Sequence, residues 1–167
     1  WVRIVRTGTS YTTATSPDGI TWTTQSSTRT ITMSSANYLA GIFVTSGSTS
    51  STALATIDNV SVTGLSAGGS AGVITSAEIG SSAPKGGDQV NAGAYQITGG
   101  GPDVGTATSD GCRFVYFPIT NSVNCTVIAR VMNLSGSTTM KAGVMIRESN
   151  AAGAIRMAFH TNTGSPA

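Results

Sequence analysis

Short apolar runs and period-two alternation, with no convincing 3.6-residue repeat, organise this chain. The pattern predicts strands over Val2–Arg6, Ser10–Ala14, Thr21–Gln25, Arg29–Met33, Tyr38–Thr45 and Ala53–Val62. After a Gly/Ser-rich stretch it predicts Ala94–Thr98, Phe114–Pro118, Cys125–Met132, Ala142–Glu148 and Arg156–Thr161. Within Ala53–Val62 the phase breaks: Ala55 and Ile57 keep one face while Val60 and Val62 keep the other. A β-bulge near Asp58-Asn59 would restore a single buried face.

Leu65 to Ile74 reads as a natural linker, so the chain divides into residues 1–64, a connector over 65–76, and residues 77–167. The two portions do not repeat each other, as two copies of one domain would. Many short strands with frequent turn signals predict an all-β chain, an antiparallel sandwich or jelly roll built from two complementary halves. Neither half alone has enough strands to cover its own apolar face.

Composition sharpens this reading. Hydrophobic residues make up 39% and charged residues only 10%, far below the usual quarter, with Ser, Thr and Gly filling the gap. That mixture suits β-branched strands joined by small-residue turns. The seven Arg are dispersed and the net charge is +2, so no basic stripe for nucleic acid is visible. No apolar run reaches transmembrane length, and membrane insertion is not expected.

The candidate chemistry is sparse. Cys112 and Cys125 flank an apolar segment. If it turns back near Pro118-Ile119, the pair comes within disulfide range and the chain belongs outside the cytosol. Otherwise they are two buried free thiols. Asp88, Asp103 and Asp110 lie in Gly-rich loops and are weak candidates for calcium, but their spacing matches no dedicated calcium loop. No other cofactor is expected. His160 has the character of a strand-end histidine, and Arg147-Glu148 that of an ion pair at a strand end; no second carboxylate is evident to make Glu148 a catalytic acid. Sequons at Asn59, Asn124 and Asn133 are within chance for so Ser- and Thr-rich a chain.

Ser16-Pro17-Asp18-Gly19-Ile20-Thr21-Trp22 is the sharpest local signal. Asp-Gly between β-type flanks is a strong turn, because Gly accepts positive φ and the Asp side chain bonds the turn backbone. The run is similar to the Asp-box hairpin of sialidase-like propellers, one residue shorter between Asp and Gly. It is read either as a sugar contact through Trp22 or as a self-stabilised turn with Trp22 packed beneath it.

Two longer runs carry a resemblance. Trp1-Val2-Arg3-Ile4-Val5-Arg6-Thr7-Gly8, Tyr11, Ser16 to Trp22 and Ala55 to Val60 resemble the second half of the concanavalin A-like (LamG-like) jelly-roll repeats of large secreted bacterial and archaeal surface proteins. Ile79-Gly80 with Ala83-Pro84, Phe114-Val115-Tyr116, Val127-Ile128-Ala129-Arg130 and Lys141 to Glu148 resemble the first half of the same repeat. The halves stand in swapped order. The chain is therefore expected to begin in mid-strand and end inside a further repeat, as one period of a tandem array, a subunit completed by its neighbours, or a permuted domain.

The resemblance implies no catalytic residues, and an enzyme is not expected. The expected role is a structural repeat or subunit of an extracellular filament or cell-surface array, its partners being neighbouring copies of itself. The alternative is a carbohydrate-binding accessory module, with Trp1, Trp22, Tyr38 and Tyr95 as the rings available to surface glycans.

Overall fold

β-Branched residues and alternating burial give thirteen strands and no helix among the described residues. The computed structural model describes residues 1–33, 37–64, 74–80, 83–105, 109–120, 122 and 124–162. The strands before the connector are β1 (Val2–Thr7), β2 (Ser10–Thr15), β3 (Thr23–Thr24), β4 (Arg29–Thr30), β5 (Tyr38–Thr45) and β6 (Ser48–Thr63). Those after it are β7 (Thr75–Ile79), β8 (Gly87–Asn91), β9 (Ala94–Gly101), β10 (Cys112–Ile119), β11 (Asn124–Ser135), β12 (Lys141–Arg147) and β13 (Arg156–Asn162). Of the residues read as connector, 65–73 lie outside the described residues, and Thr75 and Ser76 already belong to β7.

The strands form an antiparallel two-sheet sandwich compatible with a jelly roll. The larger sheet runs β3-β2-β1-β11-β6-β9-β8 with β4 also on β2, and the smaller runs β13-β12-β5-β10-β7. Both sheets contain strands from before and after residue 65: β6 sits between β11 and β9 in the larger, and β5 between β12 and β10 in the smaller. The pairs β1–β11, β6–β11, β6–β9, β5–β10 and β5–β12 all cross the connector. The two portions thus share both sheets, although each also packs strands of one sheet against the other by itself, β5 against β6 and β11 against β12.

Period-two alternation sends Val2, Ile4, Tyr11, Ala55, Ile57, Ile97, Val127 and Ala129 from the larger sheet into the central core. From the smaller sheet come Ala40, Ile42, Val44, Val115, Ala142, Val144 and Ile146. The break in β6 is a bulge: Ser61 pairs Ile128 and Asp58 pairs Arg130, so Asn59 and Val60 face one residue, Ala129. Asn59 sits at φ 48°, a backbone region that Asn tolerates better than most side chains.

The smaller sheet also buries its outer side. Phe43, Ile79, Val104, Cys112, Phe114, Tyr116 and Met145 form a second cluster, with Ala152 packed against it. Val104 and Asp110 come from the segment after β9 and Ala152 from the segment after β12, so these two connections roof the sheet. Arg147 holds the roof down. Its guanidinium donates to Asp110 Oδ2 at 3.2 Å and to the carbonyls of Ser149 and Ala151 at 2.6 Å each. Arg156 approaches Asp110 Oδ1 at 2.6 Å. The strand-end pair therefore forms differently from the sequence reading: the carboxylate bonded to Arg147 is Asp110, delivered by the roof, rather than its chain neighbour Glu148.

The hairpin expected near Pro118-Ile119 does not form. β10 runs straight through to Ile119 and pairs β5 and β7, whereas β11 lies in the other sheet between β1 and β6. Cys112 therefore joins the roofed cluster and Cys125 the central core, and both are free thiols. Burial pushes their pKa values up to about 12 and about 11, so both stay protonated and inert at neutral pH.

Candidate functional site

Trp1 and Arg3 precede and alternate with the core residues Val2 and Ile4, so both point away from the core on the outer face of the larger sheet. The Ser16–Trp22 turn ends beside them. Ser16 Oγ accepts from the amides of Asp18 and Gly19 at 3.3 and 2.8 Å and donates to Asp18 Oδ1 at 2.9 Å. Asp18 Oδ1 in turn accepts from the amides of Ile20 and Thr21, both at 2.8 Å. These bonds favour the carboxylate and hold the Asp18 pKa down at about 2. Gly19, at φ 76°, lies over the Trp1 indole so closely that a Cβ there would sit 2.9 Å from Trp1 Cε2.

The turn is thus self-stabilised, but the ring packed beneath it is Trp1. Trp22 instead meets Arg3, whose Cζ stands 4.1 Å from the indole centroid, within cation–π range. On the far side of β1, Arg130 of β11 lies 5.6 Å from the Trp1 ring and forks onto Asp58 of β6 through Nε and Nη2. The hydrogen bonds from Arg130 lower the Asp58 pKa. The result is a half-buried row of two indoles and two guanidiniums on the outer face of the larger sheet. Trp1 exchanges backbone hydrogen bonds with Ser16 on one side of β2, and Trp22 leads into β3 on the other. Their backbones are about 10 Å apart, two strand spacings.

The other proposed rings are elsewhere. Tyr38 is 1% exposed, facing the core with the Arg6 guanidinium 4.2 Å from its ring, and cannot meet a surface glycan. It opens β5, whose alternation turns its side chain inward with Ala40 and Ile42. Tyr95 is half-buried on β9, packed against the central core, and does not join the tryptophans.

The three aspartates weighed for calcium do not converge. Asp88 takes Arg113 and Asp103 takes Lys141 at 2.6 Å, while Asp110 takes Arg147 and Arg156. Among the described residues no three His, Cys, Asp or Glu side chains stand together as metal ligands. Arg113 reaches both Glu78 on β7 and Asp88 on β8, so it ties the two sheets together at that edge. His160 is half-buried edge-on to Phe43 at 6.4 Å, and burial lowers its pKa. Among the described residues the charges acting on it are Lys141, which lowers its pKa further, and Asp103, which opposes that.

Sequence reasoning named the two tryptophans but not Arg3, Arg130 or Asp58. The spacing Trp-x-Arg was the available signal, because period two puts both side chains on one side of a strand.

No family model, curated protein or solved structure matches this chain. The fold and the outer face therefore carry the functional argument on their own.

Proposed function

We propose that the chain is a structural repeat or subunit of an extracellular filament or cell-surface array, working without catalysis. The observation that carries this is the set of pairings across the connector. The pairs β1–β11, β6–β11, β6–β9, β5–β10 and β5–β12 each join a strand from 1–64 to one from 75–162, whereas β1–β2, β7–β10, β8–β9 and β12–β13 lie within one portion; the crossing pairs are the ones that neighbouring copies could exchange. Exchange of such halves between copies gives a head-to-tail assembly held by main-chain hydrogen bonds and a full apolar interface. The distribution of charge fits the role. Asp58, Glu78, Asp88, Asp103 and Asp110 each pair with a cation that ties elements together, which leaves them to hold the fold. The extracellular placement rests on composition and on the resemblance, since the cysteines do not pair.

Thr63 and Thr126 are partners across the connector, which makes the test direct. Thr63→Cys with Thr126→Cys, oxidised at rising protein concentration, should give a ladder of disulfide-linked multimers on a non-reducing gel. A single intrachain species at all concentrations, with a monodisperse monomer by light scattering, would defeat the assembly and leave a closed, permuted domain.

A second reading, a carbohydrate-binding accessory module, draws on Trp22, which is half-buried on the outer face with Arg3 over one side of its ring, whereas Trp1 lies under the turn.

A further inference from the structure

The last strand places the chain's single histidine on the roofed side of the smaller sheet. Met157 and Phe159 pack against the central core, so Ala158 and His160 face the other way, toward the connections after β9 and β12. β12 opposes His160 with Gly143, which pairs Phe43 on its other side. A Cβ at Gly143 would stand 3.0 Å from His160 Cβ and collide with the Phe159 carbonyl, so glycine leaves the imidazole room to reach across β12. There it meets the Phe43 ring edge-on, with centroids 6.4 Å apart, and its Nδ1 is buried without a hydrogen-bond partner.

Lys141, the next residue of β12 on that side, ties down this end of the roof. Its Nζ donates to Asp103 Oδ1 at 2.6 Å and to the Val104 carbonyl at 3.5 Å. The Asp103 carbonyl accepts from the Gly111 amide at 2.8 Å, at the entry to β10. Val104 is thereby seated in the apolar cluster with Phe43, Phe114, Met145 and Cys112. Burial and the Lys141 charge hold His160 neutral; the Asp103 charge, the Asn162 side chain and the Thr161 backbone pull the other way and offset only part of this. The remaining charges beneath the roof, Arg147 and Arg156 with Asp110, form their own set at the other end of β13.

We propose that His160 is an acid-sensitive latch: a proton on its imidazole releases Asp103–Val104 from β12 and opens the apolar outer side of the smaller sheet. Release gives the imidazolium water in place of a buried, unpartnered nitrogen, and takes it out of the company of Lys141. A free imidazole charges near about pH 6.5, whereas under the roof it resists the proton. The closed state therefore binds fewer protons than the open one. Closure holds in full above the free-imidazole value, weakens as the pH falls toward the lowered one, and changes no further below it. The latch is independent of both functional readings, since it acts in a lone chain as well as in an array.

The two thiols supply the test. Cys112 lies in the roofed cluster, next to Gly111, and Cys125 lies in the central core. The full chain is reacted with 4,4′-dithiodipyridine from about pH 7.5 down to about pH 5, across the titration range of histidine. Each thiol's rate is taken relative to the urea-unfolded chain at the same pH and assigned by peptide mass spectrometry. Protection of Cys112 should fall about tenfold while Cys125 keeps its own. His160→Gln, which cannot charge, should hold Cys112 protection flat. A Cys112 rate without pH dependence overturns the latch. Protection that rises in acid overturns it too, because the imidazolium would then be held by Asp103. Loss of protection at both thiols together is acid unfolding of the whole sandwich, and an undiminished pH dependence in His160→Gln assigns it to another group; either result overturns the proposal. His160 is the only histidine, so its imidazole proton resonance can be followed in the wild type even if His160→Gln does not fold. Its midpoint should lie below about 6.5, with Cys112 protection falling between the two values; a midpoint at or above the free value sinks the latch.

Discussion

Arg147 shows how a single side chain can specify a surface without adding much to stability. It and Asp110 are wholly buried, and burial, with a smaller push from the Asp103 charge, holds the Asp110 carboxyl up against the pull of Arg156 and Arg147. Burial also lowers the Arg147 pKa. Taking both ions out of water cancels most of their attraction, so what the pair contributes is position: the roof over β5, β10 and β12 has one place to sit. Removing one partner is a different matter. Asp110→Asn should cost about 3–5 kcal/mol in urea unfolding, because it leaves a guanidinium buried without its counter-charge. Asp110→Leu combined with Arg147→Met should recover most of that loss. Equal destabilisation in the single and double variants would show that the roof depends on the pair for energy as well as placement.

At the scale of strands, alternation in the sequence revealed the elements that bury a face and was blind to those that do not. Tyr38–Thr45 was legible end to end because its inner residues are Tyr38, Ala40, Ile42 and Val44. The bulge in β6 was legible too, since two valines change phase there. β7 and β8 were missed: Thr75–Ile79 and Gly87–Asn91 are short edge strands with few apolar residues, and the β8–β9 turn is made by Asn91-Ala92-Gly93 without an Asn-Gly or Asp-Gly pair. The disulfide was misread because two cysteines close in sequence were assigned to one hairpin. A sandwich sends successive strands to opposite sheets as readily as it folds them back. The outer face was half legible: its rings were named, but which guanidinium lacks a carboxylate depends on pairing no spacing reveals. Asn59 offers a test at this level. Asn59→Val should destabilise by about 1–2 kcal/mol, the cost of a β-branched side chain at positive φ, while Asn59→Gly should stay close to wild type in thermal melts. A silent Asn59→Val would mean that the bulge relaxes.

For the whole molecule, the order in which the two portions follow one another is a matter of connectivity more than of packing. Val2 and Asn162 line one pocket, so β1, inside the larger sheet, lies close to β13, the edge strand of the smaller one. A circular permutant joined from Ala167 to Trp1 and opened within 65–73 would restore the order of the repeats it resembles. It should give the same circular dichroism and a melting temperature within a few degrees of the original. Loss of cooperative folding would mean that the connector, rather than the strand pairings, specifies the sandwich.

The interleaving of the halves also has a cost during synthesis. β5 and β6 leave the ribosome with only each other to lie against until their sheet neighbours β9 to β12 follow, roughly 30 to 100 residues later, which at about 5–20 residues per second is a matter of seconds. Throughout that interval Ile42, Phe43, Val44 and Ile57 are open to water and to every other nascent copy nearby. Chains made close together on one messenger would meet while still half-built, which makes crowded translation the moment at which a neighbour's strands can be taken in place of its own.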